Sequence, residues 1–94
     1  MLHELKLQSK YFHDVVEGYK NFELRCTIDR EFNVGDILIM YEYYDGIKTG
    51  YFCKVLVKYV FTDFAFVGLG SVPYAILSFD LLEVGKSIAK RAEK

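Results

Sequence analysis

Proline is nearly absent from this chain, one residue in 94, which excludes extended Pro-rich linkers and recognition tracts. An excess of one charge is missing too: 12 Lys and Arg stand against 13 Asp and Glu, a formal net charge of −1. No general field draws polyanions to the whole molecule, so a nucleic acid would have to be met through a local patch. Cysteine is limited to Cys26 and Cys53, far apart, with no Cys-x-x-Cys and no histidine at metal spacing. Zinc is therefore not expected, and both residues read as reduced core thiols. No apolar run nears the about 20 residues that span a bilayer. The first residues, Met1-Leu2-His3-Glu4-Leu5-Lys6, are charged at once, unlike a secretory leader. The expected setting is the cytoplasm, away from membranes. There is no Ser/His/Asp order and no phosphate-cradling glycine loop, and Gly68-x-Gly70 is too short for a dinucleotide fingerprint. No cofactor is expected.

What is present is apolar and aromatic residue, 52% and 17% of the chain, enough for one packed, β-leaning domain. Residues 2–8 alternate, with Leu5 and Leu7 on one side and Glu4, Lys6 and Gln8 on the other, as in a half-buried strand. Ser9 is an N-cap candidate. Phe12, Val15, Val16 and Tyr19 then form one helical stripe that Gly18 terminates. A second strand alternates Phe22, Leu24, Cys26 and Ile28 with Asn21, Glu23, Arg25 and Thr27. After a turn at Val34-Gly35-Asp36 comes an apolar strand over 37–44, a hairpin loop over 45–50 with Asp-Gly chemistry, and a return strand from Tyr51 to Phe61. Residues 62–73 read as a loop, and Ala75 to Leu82 as a last strand. The basic tail, about residues 84–94, carries a weak helical pattern at Ile88 and Ala92 and reads as a solvated end. The expected architecture is mainly β (α+β): a small sheet curled into a barrel over about residues 2–82, with one helix between the first two strands and a short C-terminal helix. Barrel closure would remove open sheet edges.

The stretch Gly18-Tyr19-Lys20-Asn21-Phe22-Glu23-Leu24-Arg25 concentrates the chemistry. Glu23 and Arg25 lie two apart on one strand face, and Lys20 follows a helix C-terminus, where a cation is well placed. Arginine grips phosphate or carboxylate bidentately, and lysine acts as a movable point charge. Glu23 has two roles open to it, holding the cations or accepting from a base amino group. The plainer reading is a surface ion-pair cluster of little energetic weight. His3, Lys6, Asp29 and Arg30 read first as solvated or capping residues, and His13 has no assigned role. Tyr11, Tyr41, Tyr43, Tyr44, Phe64 and Phe66 are the aromatic candidates for base stacking, most of them needed for the core.

Gly18-x-Lys20-x-x-Glu23-x-Arg25 resembles the G-x-K-x-x-E-x-R motif of the activating signal cointegrator homology (ASCH) domain, a PUA-like β-barrel. His3-x-Leu5-Lys6, Asp29-Arg30-x-Phe32-x-Val34-Gly35-Asp36 and Tyr74-x-Ile76-Leu77-Ser78 extend the likeness, over about residues 3–80, to a compact bacterial and phage branch of unknown function. The resemblance implies a PUA-like barrel whose cleft carries Lys20, Glu23 and Arg25, with Lys6, Arg30 and Tyr74 as neighbours. It implies an RNA or nucleotide-like ligand. A related branch hydrolyses acylated cytidines with a Lys and a Thr. Lys20 matches that Lys, but Glu23 occupies the Thr position, so a catalytic role for Lys20 and Glu23 lacks its nucleophile. Three readings remain open: a nucleic-acid-binding module, a small nucleoside amidohydrolase, and a protein-interaction domain whose charged cleft is structural.

Overall fold

Alternation makes the first strand. In the computed structural model, which describes residues 1–87, His3, Leu5 and Leu7 point inward along β1 (Leu2–Gln8) and their neighbours point to solvent. The chain then enters α1 (Ser9–Val16), which seats Phe12 and Val15 in the core with Val16 packed against it. β2 (Phe22–Cys26), β3 (Ile37–Tyr44), β4 (Ile47–Phe61) and β5 (Tyr74–Lys86) follow, with a 3₁₀ turn at Phe64–Val67 before β5. The strands form one sheet in the order β1-β3-β4-β5-β2. Only the β1–β3 pairing is parallel, and the intervening α1–β2 segment supplies the crossover.

The architecture is the expected mainly β one, with the helix between the first two strands, but the curl stops at a half-barrel. β1 and β2 are the two edges of the sheet, and no ladder joins them among the described residues. Register shifts bend the long strands, at Tyr41/Tyr43 in the β3–β4 pair and at Lys54/Val55 and Val57/Tyr59 in the β4–β5 pair. Each extra residue increases local twist and wraps the sheet around the core. That core holds Leu5, Leu7, Phe12, Val15, Leu38, Met40, Cys53, Val55, Val57, Leu77 and Phe79. Burying each large aliphatic side chain contributes about 1.5–3 kcal/mol.

Several local expectations change. Ser9 is the first helical residue rather than the cap, and its hydroxyl donates to Glu42 instead. Tyr19 is 83% exposed, because the left-handed turn at Gly18 (φ 87°) swings the chain off the helix before the stripe reaches it. The β3–β4 hairpin closes on two residues, Asp45 and Gly46, both at positive φ (52° and 80°), so residues 47–50 belong to the strand. This is the twist-matched two-residue turn. The last strand runs on to Lys86, taking in residues 84–86 assigned to the tail; the C-terminal helix falls outside the described residues. Lys54 and Lys58 face outward on β4, paired with Glu83 and Asp80.

The largest change is in β2. Its apolar residues Phe22, Leu24 and Cys26 face out, and its polar residues Glu23 and Arg25 face in. Cys26 is exposed, so only Cys53 is a core thiol. The register explains the facing. Glu23 lies opposite Leu77 and Arg25 opposite Ala75, and directly opposed residues of an antiparallel pair share one side of the sheet. Ala75 and Leu77 belong to the buried face of β5, so the charges go inward with them.

Candidate functional site

The turn after α1 delivers the first charge. The Tyr19 and Lys20 amides both donate to the Asp14 carbonyl (2.9 and 3.0 Å), closing the helix over its last carbonyls. Lys20 then folds back onto β2, donating to the Phe22 carbonyl (2.8 Å) and to Glu23 Oε1. Arg25 takes the other carboxylate oxygen, Oε2, through Nε (2.9 Å) and Nη2 (2.6 Å). Nη2 also donates to the Lys6 backbone carbonyl (2.7 Å). Arg25 thereby ties the two sheet edges together across the open seam, at the place where a closed barrel would have a ladder.

Side-chain exposure falls to 14% for Lys20, 6% for Glu23 and 24% for Arg25. Two cations share one buried carboxylate, so the cluster carries a net positive charge. Donor capacity is left over. An ammonium has three N–H groups and a guanidinium five; the third of Lys20 and both on Arg25 Nη1 have no hydrogen-bond partner among the described residues. Above them lies a groove of about 360 Å³, lined also by Lys6, Gln8, Tyr11 and Phe22. Lys20 Nζ lies 5.8 Å from the Tyr11 ring centre and 5.2 Å from that of Phe22. Both rings are partly exposed, so the charged cluster is bordered by faces on which a planar group can stack. Beneath it, burial pushes the Cys53 thiol up to about 12, with the Glu23 carboxylate adding to the rise and Lys20 opposing it. That sulfur stays protonated and inert at neutral pH.

The structure gathers Lys20, Glu23, Arg25 and the backbone of Lys6 into one place. The Lys6 ammonium turns the other way, over the Tyr43 ring (5.1 Å). Arg30 and Tyr74 stand elsewhere. Arg30 lines a separate groove with Phe32 and Tyr59, its Nη1 3.5 Å from His3 Nδ1. Tyr74 is opposite Cys26 at the far end of the β2–β5 ladder. Of the aromatic candidates, Phe64 is buried, whereas Phe66 and Tyr44 are well exposed.

Two buried polar centres depart from the sequence reading, which has His3 as a solvated or capping residue and Glu42 only as part of an apolar strand. His3 is 3% exposed and hydrogen-bonds to Asp36 (2.9 Å), which also accepts from the Asn33 amide (2.8 Å) and the Met1 ammonium (3.0 Å). Glu42 is 5% exposed and accepts from Ser9 Oγ (2.5 Å) and Thr49 Oγ1 (2.7 Å), with His13 Nε2 at 3.3 Å. It lies opposite the β3–β4 register shift, where β4 sets residues 49–51 against it alone, and this brings Thr49 within reach. The signal was its parity with Leu38 and Met40, a charge on the buried side of an apolar run.

A family model described as a domain of unknown function (DUF3850) matches residues 2–79, which include the whole charged cluster. An uncharacterized 12.9 kDa protein in the GpA 3′ region of Escherichia phage P2 is 47% identical over 49 residues, 52% of this chain and 44% of that protein. The match therefore spans less than half the length of that phage relative. No helix among the described residues is long and apolar enough to cross a membrane.

Proposed function

The chain belongs to the DUF3850 family, and from that premise we propose that it is an ASCH-related, PUA-like binding module of the cytoplasm that grips a nucleic acid or one of its components. The observation carrying this reading is the inverted strand. β2 exposes Phe22 and Leu24 and buries Glu23 between Lys20 and Arg25. Stability does not favour that choice, since buried ion clusters are often matched or bettered by apolar residues of similar volume. A cluster with surplus cationic charge, unspent donors and flanking rings suits a phosphate and a base. Glu23 has both oxygens engaged, one by each cation, which favours a holding role over proton transfer and so binding over amide hydrolysis.

Titration of a fluorescent single-stranded oligoribonucleotide by anisotropy, at several salt concentrations, tests the site. Lys20→Ala and Arg25→Ala are each expected to weaken binding tenfold or more with an unchanged circular dichroism spectrum. Each is expected to reduce the slope of log K against log salt by about 0.7, the value for one lost phosphate contact on a single strand. Unaltered affinity and slope in both variants would remove the site.

A further inference from the structure

We propose that the ligand is a single strand of at least two nucleotides, held along a track of two adjoining grooves, and that the second groove is an additional binding site. This rests on the nucleic-acid reading of the Lys20–Glu23–Arg25 cluster. A larger groove, about 960 Å³, lies beside that cluster and is bordered by Ser9, Lys10, His13, Tyr43 and Tyr44. It shares Lys6, Leu7 and Gln8 with the charged groove. The end of β1 is thus a low divide between two halves of one track. Lys6 belongs to both halves: its carbonyl accepts from Arg25, and its ammonium lies over the Tyr43 ring in the second groove.

The second half has the chemistry of a strand-binding surface. Lys10 lies over the Tyr11 ring (5.0 Å), at the boundary of the two grooves. Neither Lys6 nor Lys10 has a carboxylate partner among the described residues, whereas Lys54 and Lys58 on the outer face of the sheet do. Asp45 is the one acid on the rim among the described residues; Glu42 is buried and already bonded to Ser9 and Thr49. Tyr44 is 69% exposed at the hairpin, a ring offered to solvent without a packing role. Cations spaced along a groove follow a phosphate backbone, and an exposed ring takes the next base whatever its identity. A free nucleotide fills one half only. A dinucleotide or longer strand engages both, the second contact being intramolecular once the first is made.

The test measures affinity against length, using uridine monophosphate and uridylate oligomers of two, four and six nucleotides, with the intact protein and the Lys10→Ala/Tyr44→Ala variant. Both side chains are exposed, and circular dichroism and melting temperature check that the fold is kept. The expected result is a hexamer bound at least tenfold more tightly than the monophosphate. The variant loses most of that gain while binding the monophosphate as before. Equal affinity for monophosphate and hexamer, or a silent variant, overturns the two-groove track and leaves the first groove standing. Failure of the intact protein to bind either ligand overturns both readings together. Polyglutamate of matched charge bound as tightly as the hexamer would show that the track reads charge alone, which also overturns the proposal.

Discussion

Replacing the charged triad in steps separates a site from a scaffold. In the double variant Lys20→Met/Arg25→Met, Glu23 stays buried, 6% exposed, with both charge partners gone. Leaving one member of a buried pair unpaired costs about 3–5 kcal/mol. For a domain of this size, 1 kcal/mol moves the melting temperature by about 4–8 °C, so the double variant is expected to melt roughly 15 °C or more below the parent. Glu23→Leu alone is milder. Its two cations keep the Phe22 and Lys6 carbonyls as acceptors and are partly solvated, so the loss is about 1–3 kcal/mol, the range for an unpaired polar group. The triple variant Lys20→Met/Glu23→Leu/Arg25→Met removes all the buried charge at once. It also gives up the Lys20 bond to the Phe22 carbonyl and the Arg25 bond to the Lys6 carbonyl; both acceptors are solvent-exposed and take water instead, so at about 0.5–1.5 kcal/mol net each the two together cost about 1–3 kcal/mol. An apolar replacement of a buried ion triad gains up to about 1–4 kcal/mol. The two nearly cancel, so the triple variant is expected to melt within about 8 °C of the parent while losing oligonucleotide binding altogether. Differential scanning calorimetry and anisotropy on the same samples decide it. A triple variant as unstable as the double would refute the reasoning, since the triad would then hold the fold together and its inward facing would need no ligand to explain it.

Two further predictions follow from groups outside the triad. Burial pushes the Asp36 carboxyl up, but hydrogen bonds from the Asn33 amide, His3 and the Met1 ammonium, together with the charge of that ammonium, outweigh it and hold it at about 2, below its ordinary 3.8. A depressed folded value contributes stability above the unfolded value and loses it as pH falls through the folded one, so about 2 kcal/mol should disappear between pH 5 and pH 2; urea melts across that range should show the loss in the parent and a flatter profile in Asp36→Asn, and an equally steep profile in Asp36→Asn would contradict the assignment. For the thiols, Cys26 is exposed while burial holds Cys53 at about 12, so a chromogenic disulfide reagent should titrate one thiol per native chain and two in denaturant. Two fast native thiols would mean that the floor of the charged groove is open.

Local patterns were legible in the sequence, and facings set by long-range pairing were not. Leu5 and Leu7, the Phe12–Val15 stripe and the Asp45-Gly46 turn could be read because each depends on neighbours within a few residues. The alternation of β2 was visible too. A period of two defines two faces, however, and does not say which one is inside. Hydrophobicity would send Phe22 and Leu24 inward, but the pairing of Glu23 with Leu77 and of Arg25 with Ala75 belongs to a strand some fifty residues on. Glu42 escaped notice for a related reason: its parity with Leu38 and Met40 puts it on the buried side, but the partners that satisfy it there, Ser9 and Thr49, come from other elements, which β3 alone does not reveal. Lys20, Glu23 and Arg25 were legible as a group because turn and strand place them within eight residues. Arg30 and Tyr74 were joined to them by family likeness, and the fold sets them apart from the groove.

The open seam and the inverted strand are consequences of one arrangement. A β1–β2 ladder would pair the two edges and bring the strands to about 4.8 Å, closing the space now occupied by the Arg25 guanidinium. Leaving the seam open forgoes those backbone hydrogen bonds, each worth about 0.5–1.5 kcal/mol net, and exposes two edges of the kind proteins usually cover. In exchange the fold gains a slot bordered by the backbone carbonyls of Lys6 and Phe22, which accept from the two cations and fix their positions. Cations held in this way are pre-organised, and an incoming anion meets charges that have already lost their side-chain freedom. A surface pair such as Lys58 and Asp80, 3.6 Å apart and more than half exposed, offers no such advantage. The seam is therefore where the sheet gives up stability, and there charge is both fixed in position and incompletely satisfied among the described residues.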